Sequence, residues 1–386
     1  MDSKSVCVYG AGCIGLDLAA QLIGGGHQVS LVARGENFER LRLGFRHINA
    51  AGQSRIISGK RYRLTDQPER LPPQDYIFLT VTADALLEIS GKIGPMLKDT
   101  TVVVPATNGI PPWFPDRQPT LLHYLQGENQ RRFDLFMQQI PREHLVGAVV
   151  RRVVGEHEGR LKTVRQLGGK GLVVGELIHG QTPRLEEMVR TLSGPEYKFE
   201  ATGNIHQAIW SKLALNVYFN PLGAWGLSIG EIGRFGRARL QGKGAVKEIL
   251  EIGKALGVAD SLKAETIFTS VEFMRRDLIL REHKPSSGQH SALGKLPEVF
   301  PIVGSALEYA LAINRERRQL GQQPELSVSN LGVAAALLWA PLNEQIAAGD
   351  RKRVADLMSK IIEPAGARQA DLEAQTQRGR TPEIKL

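Results

Sequence analysis

Apolar residues in the first half of the chain come in short runs broken by glycine turns, whereas beyond Thr202 they recur at helical spacing over long segments. Val6 to Tyr9 predicts a buried strand, LDLAAQLI from Leu16 a helix, and Gln28 to Val32 a second strand. Arg46 to Leu64 reads as short β segments, and Asp75 to Val81 and Thr101 to Val104 as further buried parallel strands. Pro111 to Gln139 reads as an aromatic-rich loop with a short helix, a candidate lid. Leu145 to Glu176 alternates apolar stretches with glycine turns and predicts an antiparallel edge that completes the first domain. A helix at Pro183 to Leu192 and a strand at Tyr197 to Ala201 follow.

Past Thr202 the predicted helices are Ile205 to Leu222, Arg239 to Leu256, Leu262 to His283, Pro297 to Leu320, Val328 to Ala340 and Arg351 to Leu372. The expected architecture is an α/β N-terminal domain, doubly wound on a mostly parallel sheet, over residues 1–202. An all-α domain over 203–372 and a polar tail over 373–386 follow.

One of these helices differs from the rest. IHQAIWSKLALNVYFNPL carries Trp210, Leu213, Ala214, Leu215, Val217, Tyr218 and Phe219 around its whole circumference, the pattern of a buried helix. Within it Lys212, Asn216 and Asn220 fall four residues apart and form one polar stripe. An unpaired buried polar group costs about 1–3 kcal/mol, and a charge more, so the stripe needs partners. Either the protein satisfies it internally or a bound polar ligand does. His206 reads as a structural hydrogen-bonder, and Trp210 and Trp225 as core aromatics.

The first strand runs into Gly10, Ala11, Gly12, Cys13, Ile14 and Gly15, a G-x-G-x-x-G turn between a strand and a helix. Gly10 permits the tight turn, Gly12 leaves room for a pyrophosphate, and Gly15 lets the helix lie close to the sheet. The phosphates of a dinucleotide would then meet the free N–H groups and dipole of the helix N-terminus. Arg34 follows the second strand, where an acid would favour NAD and an arginine receives the 2′-phosphate of NADP, so NADP (NADPH) is the expected cofactor. Asn108-Gly109 forms a turn at the carboxyl end of a parallel strand, the edge on which such sheets bind ligands.

Composition narrows the reading. The net charge of +9 comes from dispersed basic residues interleaved with acids, as in NRERR from Asn314 to Arg318, so nucleic acid is not an expected partner. No apolar run is long enough to span a membrane, and MDSKS leads directly into VCVYG without the pattern of a signal peptide; the expected location is the cytoplasm. The two cysteines, Cys7 and Cys13, are expected to be reduced thiols. Nine histidines show no H-E-x-x-H or H-x-H spacing, so no metal site is expected, and G-x-S-x-G and G-x-x-x-x-G-K-[ST] do not occur.

Taken in order, GAGCIG, LVARG with Arg34, Asn108-Gly109, WSKLALNVYFNPL and KPSSGQHSALGKLPE, with Ser286 and Glu298 at the family's spacing, resemble the ketopantoate reductase (2-dehydropantoate 2-reductase) family as a divergent, extended member. The resemblance implies a Rossmann domain followed by a helical domain with the site between them. It implies NADPH-dependent reduction of a small-molecule 2-keto acid, ketopantoate to pantoate, on the route to pantothenate. By resemblance Lys212 is the catalytic lysine and Glu298 the acidic partner. Asn216, Asn220 and Ser286 contact substrate, and Asn108 lies near nicotinamide and substrate. The chain departs from the family at Thr82, where a lysine is common, at Thr107, where a glutamine is frequent, and at His290, where an aspartate is usual. Alternative readings are a reductase of a bulkier keto acid or ketone, and an NADP-binding regulator without chemistry. A homodimer through the helical domain is a further expectation, because its helices carry more apolar face than one short bundle covers.

Overall fold

A computed structural model of the protein describes residues 3–157, 161–178, 180–234, 236–292, 298–323 and 325–339. The helix expected at Arg351 to Leu372 and the polar tail lie outside the described residues. The N-terminal elements are β1 (Ser5–Tyr9), α1 (Cys13–Gly24), β2 (Gln28–Val32), α2 (Gly35–Leu41), β3 (Gly44–Ile48), β4 (Ser54–Ser58) and β5 (Arg63–Thr65). They continue with β6 (Tyr76–Leu79), α3 (Ala83–Ser90), β7 (Val102–Pro105), α4 (Pro119–His123), α5 (Gly127–Met137), β8 (Gly147–His157), β9 (Lys162–Gly175), α6 (Pro183–Leu192) and β10 (Lys198–Ala201). The helical part comprises α7 (Ile205–Gly223), α8 (Ile229–Ile232), α9 (Gly236–Ala255), α10 (Ala264–Arg276), α11 (Ser286–Ala292), a π-turn at Phe300–Gly304, α12 (Ser305–Gln319) and α13 (Ser329–Trp339).

Five short strands form a wholly parallel sheet in the order β5-β2-β1-β6-β7. The order reverses beside β1, whose carboxyl end therefore opens a crevice where a ligand can sit. The carboxyl-end residues Tyr9, Val32, Leu79 and Pro105 are in or next to register, so the loops after β1, β2, β6 and β7 cluster at one edge.

The stretch from Leu145 to Glu176 is antiparallel, as the pattern indicates, but it does more than finish the first sheet. β9 pairs with β8 along one side; on the other, Lys162–Arg165 pairs in parallel with β3 and Gly171–Val174 with β10, while β4 flanks β3. The result is a second, mixed sheet, joined to the first where the Val146 N–H donates to the Val103 carbonyl at 3.0 Å. Between the halves of β9, Gly169 and Gly171 adopt positive φ (79° and 152°), and a Cβ on either would lie 2.0 Å from a neighbouring carbonyl oxygen. Asp17 of α1 ties the layers together: it accepts from Arg152 of β8 at 2.8 Å and contacts His47 of β3 at 2.7 Å, all three buried. A buried charge pair is tolerated when, as here, its groups are hydrogen-bonded.

Beyond β10, α7 runs through the helical part, packed on α9, α13, α11, β8 and the π-turn. Trp210 is fully buried and its Nε1 donates to the Ile249 carbonyl of α9 at 2.8 Å. Trp225, expected in the core, is instead 55% exposed, and its Nε1 reaches the Leu337 carbonyl at 3.0 Å. The segment expected as one helix from Pro297 is interrupted by the π-turn, with Pro301 lacking the N–H a regular helix needs. Pro111 to Gln139 is packed in rather than laid over the surface. Trp113, Phe114 and Phe136 are fully buried; Glu308 of α12 accepts the Glu128 and Asn129 N–H groups at 3.0 and 2.9 Å, capping α5.

Candidate active site

At the crevice the three glycines of the turn do different work. Gly10 has φ +111°, and a Cβ there would meet the Thr80 carbonyl oxygen at 2.8 Å. A Cβ on Gly15 would lie 2.0 Å from the Gly10 carbonyl oxygen and 2.6 Å from Thr80 Oγ1, so α1 approaches the sheet more closely than any side chain allows. Gly12 faces open space, with nothing within 4 Å of a built Cβ. It is also the N-cap of α1, and no side chain caps that terminus. An uncapped helix start with open space beside Gly12 fits a pyrophosphate, whose oxygens would take up the first-turn N–H groups. Cys13 and Ile14 open the helix; the Cys13 thiol is pushed up to about 11, first by burial and then by Glu156, so it is a neutral neighbour for an anion.

Arg34 lies at the start of α2 with its side chain 78% exposed, in a surface ion pair with Glu88 at 3.2 Å. Such a pair is worth about 0–1 kcal/mol and exchanges readily for a phosphate.

The polar stripe of α7 is divided in its roles. Asn220 is buried with its oxygens satisfied internally: its Oδ1 accepts the Ser286 hydroxyl at 3.0 Å and the Ser287 N–H at 3.1 Å, and its carbonyl accepts the Ser287 hydroxyl at 2.7 Å. The close approach is secured by Gly288, whose Cβ would meet the Gly223 carbonyl oxygen at 2.5 Å. Asn220 and Ser286 are therefore brought together, and each occupies hydrogen-bonding capacity that the resemblance assigns to substrate. Asn216, one turn earlier, is buried, and its Nδ2 has no partner among the described residues. Lys212, a further turn earlier, is half-buried and has no hydrogen bond or ion pair among the described residues. Burial, and then the Arg151 guanidinium, hold its pKa below the ordinary lysine value. His283 shares this environment; burial and then Lys212 lower it to about 4, so its ring is neutral at neutral pH.

Glu298 and Asn108 meet at the carboxyl end of the parallel sheet. The Asn108-Gly109 turn is clamped to the π-turn: Gly109 has φ +76°, and the Ile110 N–H donates to the Pro301 carbonyl at 2.7 Å. The buried Glu298 carboxylate accepts the Ala83 N–H at the start of α3 at 2.7 Å, and the Asn108 side chain acts to favour its anion. Burial raises the Glu298 pKa to about 7, Asp84 adds to the rise, and the Ala83 N–H, Asn108 and Arg132 oppose it. Thr82, where the resemblance anticipates a lysine, is the N-cap of α3, and Thr107 Oγ1 is buried with no partner among the described residues.

Lys212 and Glu298 are held by separate scaffolds, α7 and the approach to the π-turn, and these two pack against each other. Lys212's charged neighbours are Arg151 and His283, while Glu298 faces Ala83, Asp84, Asn108 and Arg132. Arg151 escaped the sequence reading. Its signal was present in VGAVVRRVV, where two arginines interrupt an apolar strand: Arg152 is buried against Asp17, and Arg151 is exposed on the α7 side. Together with Thr202, Asn204, Gln207 and Ser211 it lines a groove of about 310 Å³ along α7. His206 proves structural, donating to the Phe114 carbonyl at 2.9 Å. Among the described residues no group of three or more His, Cys, Asp or Glu could hold a metal ion, and no helix is long and apolar enough to cross a membrane.

The sequence and the fold are shared with known proteins. Residues 6–177 match the family model described as Ketopantoate reductase PanE/ApbA, and residues 204–318 match its C-terminal counterpart. The chain is 28% identical over 324 residues to a 2-dehydropantoate 2-reductase of Mesorhizobium japonicum, covering 80% of this chain and 92% of the relative. The solved 2-dehydropantoate 2-reductase from Geobacter metallireducens has a similar fold, with a TM-score of 0.70 at 20% identity over 87% of this chain and 99% of that one. D-Mandelate dehydrogenase with NADH and anilino(oxo)acetate does too, with a TM-score of 0.70 at 18% identity over 88% and 99%. Both domains of the chain thus carry the family's pattern, and the protein belongs to the ketopantoate reductase family of oxidoreductases.

Proposed function

We propose that the chain reduces a 2-keto acid to the corresponding 2-hydroxy acid with NADPH, ketopantoate being the first candidate substrate. The observation that carries this reading is the pair on α7: a half-buried ammonium at Lys212 and a buried amide Nδ2 at Asn216, one turn apart on one face, which among the described residues have no anionic partner and no acceptor. Two donors left open in this way suit a ligand that brings oxygen acceptors.

Gly10, Gly12, Gly15 and the N-terminus of α1 would hold the dinucleotide, with Arg34 on the 2′-phosphate. A bound nicotinamide supplies the hydride. The residues of the chain do the rest. As the ketone carbon is reduced, charge develops on its oxygen; the Lys212 ammonium stabilises that charge and gives up a proton to form the alcohol. The lowered pKa makes Lys212 a stronger acid than a free lysine, so it needs less driving force to release the proton. Arg151 adds a second positive charge beside it, which favours an anionic substrate and suits the carboxylate of a 2-keto acid. Asn220 holds Ser286 and Ser287 in place along the stripe, and Glu298 with Asn108 forms the opposing polar group.

Purified full-length chain mixed with NADPH or NADH and a panel of 2-keto acids, followed by loss of cofactor absorbance, tests this. Turnover of ketopantoate with NADPH preferred supports the proposal in full. Turnover confined to bulkier keto acids favours the second reading, a related reductase, for which Thr82 in place of a cationic side chain is the specific observation. Cofactor binding with no oxidation across the panel contradicts both and leaves a dinucleotide-binding regulator.

A further inference from the structure

We propose that Arg132, reaching in from α5, is a positioning residue for Glu298: its guanidinium fixes the start of α3, whose first N–H Glu298 accepts, and the ring that follows Glu298. The inference rests on the reading of Glu298 as the acidic partner of the keto-acid site. The geometry centres on one residue, Ala83. Its N–H donates to Glu298 at 2.7 Å, and its carbonyl accepts from Arg132 at 2.8 Å. Arg132 also donates to Asp84 at 2.7 Å, lies 4.0 Å from Glu128 and covers the Phe300 ring at 5.5 Å. It is buried, whereas the Asp84 side chain is 64% exposed, so the cation is the inner member of that pair. Phe300 opens the π-turn that clamps Asn108-Gly109, and the Asn108 side chain also favours the Glu298 anion. The segment that looks like a lid in sequence thus sends a buried cation to both sides of the carboxyl.

The charged groups acting on Glu298 among the described residues are Asp84, which favours its neutral form, and Arg132, which favours its anion. Burial has already raised the group to about 7, so near neutral pH a small change in either neighbour alters the fraction ionised. With Arg132 removed, burial and Asp84 act unopposed by any cation. Glu298 then takes up a proton at higher pH and accepts less well from Ala83.

The test reads the carboxyl itself. Infrared difference spectra of the full-length chain are recorded against pH, and the protonated-carboxyl band of Glu298 is identified by its loss in Glu298→Gln. In Arg132→Met the midpoint of that band is expected to rise by about half a unit or more, which is about threefold in proton affinity. Arg132→Lys, which keeps the charge but not the fork, should shift it less. Arg132→Gln carries the same expectation as Arg132→Met should the methionine variant fail to fold. The pH midpoint of keto-acid kcat/KM should move with the band in the arginine variants. An infrared midpoint that stays put or falls in Arg132→Met and Arg132→Gln overturns the inference. Unchanged keto-acid turnover in Glu298→Gln, with the infrared shift present, counts instead against the functional reading of Glu298, so the two failures are distinguishable.

Discussion

Alanine at Gly12 and alanine at Gly15 should separate cofactor binding from folding. At Gly12 the added methyl meets nothing within 4 Å, and φ −81°, ψ −171° is open to any residue. Lost backbone freedom in the unfolded chain favours the alanine by about 0.4–1 kcal/mol, while alanine is a poorer N-cap by a similar amount. The two nearly cancel, so Gly12→Ala should keep wild-type stability within about 1 kcal/mol. The methyl does enter the space where the pyrophosphate approaches the backbone, and displacing it by even one lost contact of about 1.4 kcal/mol weakens NADPH tenfold. At Gly15 the same methyl would sit 2.0 Å from the Gly10 carbonyl oxygen, which belongs to the backbone and cannot easily step aside. Overpacking of this kind costs about 1–3 kcal/mol or more, so Gly15→Ala should be visibly destabilised without any ligand. Urea unfolding gives the stabilities, and NADPH fluorescence titration gives Kd. A Gly12→Ala protein that binds NADPH as tightly as wild type would refute the reasoning, as would a Gly15→Ala protein of unchanged stability.

Other outcomes follow from the same contacts. The alkaline limb of the kcat profile should fall below the ordinary lysine value, and Arg151→Met should move it upward, since removing a like charge favours the ammonium; a limb unmoved in that variant separates Arg151 from Lys212. Glu298, raised from 4.5 to about 7 in the folded protein, contributes stability that is full below pH 4.5 and lost as pH rises through 7, about 3 kcal/mol in all. Glu298→Gln should flatten that fall in denaturation measured at pH 5 and pH 8, and a fall of wild-type size in the variant contradicts the assignment. Asn220→Ala leaves the buried Ser287 N–H without its acceptor and should cost about 1–3 kcal/mol of stability in the absence of ligand. Weakened keto-acid binding at unchanged stability would instead put Asn220 in direct contact with substrate.

The glycine turn and the α7 stripe were legible because both are local patterns: three glycines at fixed spacing between a strand and a helix, and three polar residues four apart in an apolar helix. What the stripe residues do was less legible. Asn220 and Asn216 look equivalent in sequence, yet Ser286 and Ser287 donate to the Oδ1 of the first, while the Nδ2 of the second has no partner among the described residues. The second sheet was hidden for a related reason. Its parallel pairing of Phe45 with Lys162 joins residues far apart in the chain, and the kink at Gly169 and Gly171 that lets β9 serve two partners reads locally as an ordinary turn. Likewise Arg132 lies in GENQRRFDLFM, a polar helix by composition, and only its contacts with Ala83, Asp84 and Phe300 reveal a buried cation. Trp225 failed in the opposite sense: its neighbours are apolar, but α7 ends two residues before it and the ring is left at the surface.

The central claim is that the open ammonium on α7 supplies the proton that completes the alcohol. Single-turnover oxidation of NADPH by Lys212→Ala in the presence of a substrate keto acid tests it most directly, with NADPH affinity measured in parallel. The account predicts a hydride-transfer rate at least a hundredfold below wild type, about 3 kcal/mol of lost stabilisation, at unchanged NADPH affinity. A wild-type rate in that variant would contradict it.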